Sequence, residues 1–192
     1  MRPPPAWPAV LLMGERQDRD SGFEESATRI VPLKMKELIG ALEKHEVEYL
    51  IVGGWAVVAH GLVRATKDVD ICPRPSDENF ERLLLALKKI KAKPILGDLD
   101  KDHDVQLDMD GLRHGGNWLL LTEYGRLDLM QYLSGPEEQE WGWVELSKHS
   151  IVKSLLGYEC RFCGYEDLLA MKKAAGRPQD LIDIEGLRQA RQ

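Results

Sequence analysis

Two aspartates, Asp68 and Asp70, are the residues whose spacing most clearly indicates chemistry. They alternate with apolar residues over 67–72, and this alternation predicts a β-strand that ends before a proline. Because residues two apart on a strand share a face and lie about 7 Å apart, both carboxylates are expected to project toward a common point. Paired carboxylates repel each other unless a cation lies between them. The pattern therefore predicts a site for one or two Mg²⁺ ions, with Mn²⁺ as an alternative.

A glycine pair, Gly53 and Gly54, lies upstream of the two aspartates. It follows a predicted buried strand over 49–52 and precedes a short predicted helix over 55–60. A glycine turn in that place allows backbone amides to approach phosphate oxygens closely. Taken alone, the glycines also fit an ordinary turn, and the aspartates also fit a solvated strand face. Together they predict a nucleotide site.

Hydrophobic periodicity indicates the elements that must position these residues. Apolar residues spaced i, i+3, i+4 and i+7 predict a helix from Leu33 to about residue 43. Ser76 is predicted to cap a helix that continues through about Lys91. The remaining predicted elements are a hairpin of strands 118–122 and 127–133, a strand or hairpin over 158–163, and helices over 166–175 and 179–189.

The composition is that of one globular domain with a modest appendage: 192 residues, 43% apolar and 30% charged. The net charge of -6 argues against sequence-independent wrapping of duplex nucleic acid, which needs many basic contacts to phosphate. Three cysteines indicate a reducing cytosol, and the Cys160–Cys163 pair lacks the further ligands of a zinc site. No apolar run reaches the ~20 residues of a membrane span, so we expect a cytoplasmic protein without a membrane partner.

The motif as a whole resembles the DNA polymerase beta-like nucleotidyltransferase superfamily. After an apolar strand come Gly53 and Gly54, a spacer of thirteen residues (55–67), and then Asp68 and Asp70, each followed by an apolar residue. The spacer carries further residues of the pattern, namely His60, Arg64 and Thr66. It looks like the small bacterial and archaeal branch that includes AbiEii-type toxins and relatives of lincosamide nucleotidyltransferases. The tail over 166–180 is also similar, so the resemblance covers about residues 33–190.

The resemblance implies a fold and a domain organisation. The fold is α/β and polymerase beta-like, with a short mixed sheet, packed helices and a small C-terminal helical part. Residues 1–30, with clustered prolines and no sustained periodicity, are predicted to be a flexible leader. Residues 31–135 are predicted to be the nucleotidyltransferase core, and residues 136–192 a C-terminal segment that completes the site.

The same resemblance implies a two-metal site held by carboxylates. Asp68 and Asp70 would be paired metal ligands, and Gly53 and Gly54 would lie against the triphosphate. A third carboxylate comes from a later strand, and Asp128 fits because it interrupts an apolar strand, where burial is costly without a cation. The alternative for this residue is the exposed face of an edge strand. Three competitors in a polar, weakly patterned stretch rank lower, namely Asp104, Asp108 and Asp110.

Basic residues are predicted to bind the nucleotide. Lys172 and Arg177 would neutralise triphosphate charge, with Asp180 orienting one of them, although surface Lys and Arg are most often only solvated. Arg64 and Thr66 are assigned to the nucleotide as well. His60 is a further candidate, with a hydrogen bond to the backbone as the alternative to a catalytic role. Trp55 and Trp118 would either stack on a base or belong to the core. Trp141 and Trp143 are predicted to face one side of a strand, where they would shape an acceptor groove or a partner surface.

These features predict a Mg²⁺-dependent enzyme that moves a nucleoside monophosphate from an NTP to a hydroxyl. The acceptor stays open between tRNA or another RNA end, a protein and a small molecule. One hypothesis is a toxin of a toxin–antitoxin pair, with an antitoxin as partner. The alternatives are an antibiotic-modifying nucleotidyltransferase and a nucleotide- or partner-binding module that has lost turnover.

Overall fold

The computed structural model describes residues 33–95 and 106–191 of the chain. Within them, helices pack against a central mixed β-sheet of seven strands. The helices are α1 (Met35–Lys44), α2 (Gly53–Ala59), α3 (Asp77–Lys89), α4 (Met109–His114), α5 (Trp143–Leu146), α6 (Tyr165–Ala175) and α7 (Pro178–Ala190). The strands are β1 (Tyr49–Ile51), β2 (Asp68–Pro73), β3 (Lys93–Pro94), β4 (Asn117–Thr122), β5 (Gly125–Met130), β6 (Leu133–Ser134), β7 (Glu140–Trp141), β8 (Ile151–Leu155) and β9 (Tyr158–Phe162). The predicted leader and the competing Asp104 lie outside the described residues.

The strand order of the central sheet is β3-β4-β5-β2-β1-β9-β8, and β6 pairs with β7 in a separate hairpin. β2 runs parallel to β5 and β1 runs parallel to β9, whereas the other neighbours are antiparallel. This short-stranded mixed sheet, with α6 and α7 at the C-terminal end, confirms the predicted α/β fold class. The C-terminal segment also contributes β8 and β9, so it completes the sheet as well as the helical part.

The two long N-terminal helices form where the periodicity predicts them. The Ser76 hydroxyl accepts a hydrogen bond from the Asn79 amide at 3.3 Å, which caps α3 at its predicted start. The apolar faces of α1 and α3 are buried, with Leu38 and Leu83 fully enclosed beside the central strands. Burial of such a stripe, rather than helix propensity alone, holds a short helix in place. None of the helices in the described ranges is long and apolar enough to cross a membrane.

Three local predictions are wrong in detail. The predicted strand over 127–133 is two strands, because β5 ends at Met130 and the chain bends before β6. β5 begins at Gly125, so Arg126 belongs to this strand rather than to the loop of the β4–β5 hairpin. Trp141 ends β7 while Trp143 begins α5, so these two rings do not share one side of a strand.

Candidate active site

Three carboxylates lie side by side on two parallel strands. Asp70 of β2 is the register partner of Asp128 of β5, and Asp68 lies two residues before Asp70 on the same face. The Asp68 side chain is 30% exposed, whereas that of Asp128 is 8% exposed. The parallel pairing of two strands that are far apart in the sequence thus brings Asp68, Asp70 and Asp128 together. We call this group the carboxylate surface, and it extends from a buried side chain to a partly exposed one.

Arg126 is a cation within this carboxylate surface. It is the register partner of Asp68 on β5, and its Nη2 lies 3.1 Å from Asp128 Oδ2 and 4.0 Å from Asp68 Oδ2. Sequence reasoning missed it because the residue was placed in the hairpin loop. An earlier start of β5 would have put Arg126 on the face of Asp128, two residues away.

The electrostatics of the site favour a positive charge. Burial, opposed by Arg126 and reinforced by the charges of Asp70 and Asp68, raises the pKa of Asp128 to about 6. Burial and the neighbouring Asp68 charge also raise the pKa of Asp70, while a hydrogen bond from the backbone of Gly54 opposes them. Clustered carboxylates with raised pKa values bind a proton or a cation readily, so the arrangement is suited to a cationic ligand.

The glycine pair packs directly on these carboxylates. α2 begins at Gly53, so the glycines form the first turn of the helix rather than a loop before it. Gly53 has a φ of +57°, and a Cβ at this position would overlap the Asp70 carboxylate. At Gly54 a Cβ would lie 2.5 Å from the Thr66 hydroxyl oxygen and 3.1 Å from Arg64 Nη2. Only glycine allows this close approach of the helix start to the acidic strand.

We expect Gly53→Ala to lower the free energy of unfolding by about 1–3 kcal/mol and to displace the Asp70 carboxylate. The reason is twofold: the added Cβ overlaps Asp70, and alanine disfavours positive φ. Gly157→Ala is the matched control, because Gly157 also has positive φ, +95°, but has open space around it. Urea unfolding of both variants makes the comparison, and equal losses would show that crowding at Asp70 contributes nothing.

A buried ion network connects α6 and α7 to the loop before β2. Lys172 Nζ lies 2.9 Å from Asp180 Oδ1 and 2.6 Å from Asp183 Oδ2. Arg64 Nε lies 2.9 Å from Asp183 Oδ1, and its Nη2 donates to Asp183 Oδ2 at 3.2 Å. Arg177 Nε donates to Asp180 Oδ2 at 2.7 Å. Two aspartates of α7 therefore hold three cations that come from different parts of the chain.

The residues predicted to bind phosphate differ in their exposure to solvent within this network. The Lys172 side chain is 6% exposed and its ammonium is turned toward the two aspartates. The Arg177 side chain is 73% exposed, and the charges of both cations partly oppose the rise in the pKa of Asp70 that burial and Asp68 cause. Asp180 orients both of them, not one. Asp183, three residues further on α7, was missed, although an i, i+3 spacing of aspartates places both on one helix face.

The stability contribution of Asp180 is expected to depend on pH. Burial raises the pKa of this carboxyl, but hydrogen bonds from Arg177 and Lys172 outweigh burial and hold the pKa below its ordinary value. A carboxyl with a lowered folded-state pKa stabilises the fold above its unfolded pKa of about 3.9, and loses that contribution as the pH falls through the folded-state pKa. The gap in unfolding free energy between wild type and Asp180→Asn should therefore be widest near neutral pH and shrink below about pH 4. Urea titrations across this range measure it, and a pH-independent gap would contradict the ion pairing.

The other residues singled out in the sequence form contacts that support the fold. His60 Nε2 donates to the Cys163 carbonyl oxygen at 2.9 Å, the backbone alternative for this residue. Trp118 is buried in the core, and Thr66 Oγ1 lies 3.5 Å from Asp68 Oδ1. Asp108 caps α4 by accepting from the Gly111 amide at 2.9 Å. Asp110 forms an ion pair with Arg113. Cys160 and Cys163 are buried free thiols.

The carboxylate surface fits a divalent metal by its chemistry. Among the described residues, no group of three or more His, Cys, Asp or Glu side chains is arranged so that it could hold a metal ion by itself. Mg²⁺ does not require an all-protein cage, because it usually binds through one or two carboxylates and takes its other ligands from water and phosphates. Asp68 and Asp70 offer such a pair, and the Arg126 guanidinium is a cation that already lies within 4.0 Å of both Asp68 and Asp128.

Comparison with known proteins gives structural similarity only. No model of a protein family matches the chain, and no curated protein does. The solved structure of the lincosamide antibiotic adenylyltransferase LnuA with bound lincomycin has 17% sequence identity and a TM-score of 0.56, with 83% of this chain and 99% of that chain covered. The solution structure of the antibiotic-resistance factor ANT(2'')-Ia has 17% identity and a TM-score of 0.49, with 80% of this chain and 78% of that chain covered.

The similarity to LnuA extends over nearly all of that chain, so it concerns the whole architecture and not a shared fragment. In this chain, that architecture consists of the central mixed sheet and the helices packed around it. The chain accordingly has the same overall fold as this adenylyltransferase.

Proposed function

We propose that the protein transfers a nucleoside monophosphate from an NTP to a hydroxyl group, in a reaction that depends on Mg²⁺. The observation that carries the proposal is the register of the two parallel strands, which places Asp70 opposite Asp128 and Asp68 on the same face. The glycine start of α2 lies against Asp70 and brings a helix N-terminus to the same place. Carboxylates for a metal and a backbone that can approach phosphate are the two parts that this chemistry needs.

The carboxylates have distinct roles in this proposal. Asp68 and Asp70 would hold the metal, and Mn²⁺ has the same preference for oxygen ligands. When bound, such ions neutralise phosphate charge and activate a hydroxyl for attack. We assign proton acceptance from the attacking hydroxyl to Asp128, because it faces Asp70 and is the most enclosed of the three carboxylates.

Basic residues would orient the donor nucleotide. Arg177 is the best placed, because its side chain is largely exposed while Asp180 holds its guanidinium beside the site. A guanidinium fixed in this way can bind phosphate oxygens in a forked arrangement. Lys172 would act at closer range on the field around Asp70, and Arg64 with Thr66 would hold the backbone that leads into β2.

The acceptor is proposed to be a small molecule. LnuA, of similar fold, is named as a lincosamide adenylyltransferase and was solved with lincomycin bound. This supports a small-molecule hydroxyl, and with it an antibiotic-modifying role, over a toxin that acts on tRNA beside an antitoxin partner. Expression in a bacterial host distinguishes the two roles, because a modifying enzyme should give drug resistance without toxicity, whereas a toxin should arrest growth.

Incubation with each α-labelled NTP, Mg²⁺ and a cell extract tests the acceptor directly. The label is expected in the small-molecule fraction, and label in RNA or protein would overturn this acceptor class. A rival without turnover, a nucleotide-binding module, predicts tight NTP binding in calorimetry with no pyrophosphate release for any acceptor pool. Measured pyrophosphate release would exclude that rival.

A further inference from the structure

One buried carboxylate, that of Asp183, attaches the loop between α2 and β2 to the C-terminal helices. Its side chain is fully enclosed, and its partners in the described part of the chain come from α6, α7 and that loop. Lys172 Nζ lies 2.6 Å from Asp183 Oδ2, and Gln179 Nε2 donates to Asp183 Oδ1 at 3.0 Å. Because both oxygens have partners, the carboxylate cannot rotate without losing a charge-assisted contact.

This carboxylate determines how the Arg64 guanidinium is oriented. Arg64 Nε lies 2.9 Å from Asp183 Oδ1, and Arg64 Nη2 donates to Asp183 Oδ2 at 3.2 Å. Two neighbouring contacts of this kind define the plane of a guanidinium as well as its position. The third nitrogen, Nη1, donates to the Ala65 carbonyl oxygen at 2.8 Å. A residue of α7 thus specifies how Arg64 lies on its own loop.

The guanidinium held in this way lies against the glycine turn. Its Nη2 is 3.1 Å from the position that a Cβ at Gly54 would occupy, and the backbone of Gly54 hydrogen-bonds to Asp70. Nη1 and Nη2 each carry two N–H bonds, and each uses one of them on an acceptor in the described part of the chain. Since the Arg64 side chain is 24% exposed, the other N–H bonds are free to bind an anion at the turn.

The same loop leads into the carboxylate surface. The Thr66 hydroxyl donates to the Asp68 carbonyl oxygen at 3.3 Å. Three residues separate Arg64 from Asp68 in the sequence, so the loop is short. Fixing Arg64 therefore also restricts the backbone at the start of β2.

We propose that Asp183 is a positioning residue for the triphosphate: it fixes Arg64 beside Gly54, where the guanidinium binds phosphate oxygens of the donor nucleotide. The inference rests on the proposed function, which brings a triphosphate to the glycine turn. Asp183 is fully buried and does not touch the nucleotide, so it acts through Arg64. In this way the packing of α7 is coupled to binding at the site.

The sign of the effect separates positioning from charge. Asp183→Asn removes a negative charge from the network whose cations, Lys172 and Arg177, act on Asp70. If charge alone mattered, losing this carboxylate would tighten the binding of a polyanion. If the orientation of Arg64 matters, binding weakens, because the single oxygen of an amide cannot pair with two guanidinium nitrogens. A merely structural role would lower the stability and leave the affinity of the folded protein unchanged.

Inorganic tripolyphosphate with Mg²⁺ is the probe, because it carries the charged part of an NTP without a base. Calorimetry with the full-length protein is expected to show about tenfold weaker binding by Asp183→Asn than by wild type. The control Glu81→Gln removes a negative charge from an exposed position of α3 and should keep the affinity within about twofold. Unchanged or tighter binding by Asp183→Asn, or no binding by wild type, would overturn the inference.

Arg64→Lys provides a second test, which also serves if Asp183→Asn does not fold. Lysine keeps the positive charge but lacks the fork that contacts both carboxylate oxygens. We expect this variant to bind tripolyphosphate about fivefold more weakly, and an affinity equal to that of wild type would contradict the proposal. Because Asp183 acts through Arg64, adding Asp183→Asn to Arg64→Lys should cause little further loss, whereas additive losses would show that the two residues act separately and would overturn the proposal.

The failure of this inference and that of the proposed function give different results. If nucleotide transfer occurs while Asp183→Asn binds tripolyphosphate as well as wild type does, the role of Asp183 is wrong and the transferase assignment stands. If tripolyphosphate binding depends on Asp183 but no acceptor is ever labelled, the positioning role is supported and the proposed function is wrong.

Discussion

Replacing Asp68 and Asp70 together with Asn is expected to lower the rate of NTP-dependent transfer by about a thousandfold or more, equivalent to ~4 kcal/mol of transition-state stabilisation. The physical reason is that neutral amides cannot hold a divalent cation against the triphosphate. The fold should survive, since the carboxylates of this surface repel one another and that repulsion contributes to the raised pKa of Asp70. Initial rates of pyrophosphate release measure the loss, and urea unfolding measures the stability.

The matched control for this variant carries Glu37→Gln and Glu81→Gln. Both glutamates are exposed on helices, so the control removes the same number of negative charges away from the site. It should retain the rate of wild type within about twofold, because exposed surface substitutions have small effects. Equal rates in the control and in the Asp68 and Asp70 variant would show that the two strand aspartates are not the metal ligands.

Replacing Lys172 with Met is expected to lower the free energy of unfolding by about 3–5 kcal/mol. The substitution keeps much of the side-chain volume but leaves Asp180 and Asp183 buried, with one cation fewer between them. Each aspartate keeps one arginine partner but loses its charge-assisted hydrogen bond to the buried ammonium, and the loss of such bonds from a buried network is strongly destabilising. Denaturant unfolding of the purified variant provides the measurement.

Lys173→Met is the control for that measurement, because Lys173 is the next residue on α6, is exposed, and forms no ion pair in the described part of the chain. Its substitution should change stability by less than about 0.5 kcal/mol. A similar result for both lysines would show that the Lys172 ammonium is not desolvated between the two aspartates. Should the Lys172 variant not accumulate in folded form, Asp183→Asn, which retains Lys172, tests the same network.

The local elements of this fold are predictable because their determinants lie close together in the sequence. Ser76 and the apolar stripe after it specify α3 through contacts within a few residues, and the alternation around Asp68 and Asp70 specifies β2 in the same way. Asp128 could be proposed because a carboxylate interrupts an apolar strand. The position of Asp128 opposite Asp70 could not be predicted from a local pattern, because the parallel pairing of β2 with β5 joins segments that are more than fifty residues apart in the sequence.

The remaining features depend on contacts that no local pattern contains. Arg126 reaches Asp68 only because β5 begins at Gly125, and strand ends are poorly specified by alternation alone. The insertion of Lys172 between two aspartates follows from how α6 packs on α7. The β6–β7 hairpin begins after the chain leaves β5 at Met130, and the apolar residues on both sides of this break do not reveal it.

Transfer from an NTP labelled either at the α-phosphate or at the γ-phosphate is the most direct test of the proposed reaction. In the presence of Mg²⁺ and an acceptor, the α label should appear in the acceptor while the γ label appears only in pyrophosphate. Both events should be lost together when Asp68 and Asp70 are replaced with Asn. Transfer of the γ label to the acceptor, or no release of pyrophosphate with any NTP in Mg²⁺ or Mn²⁺, would contradict the assignment of this site as a nucleotidyltransferase centre.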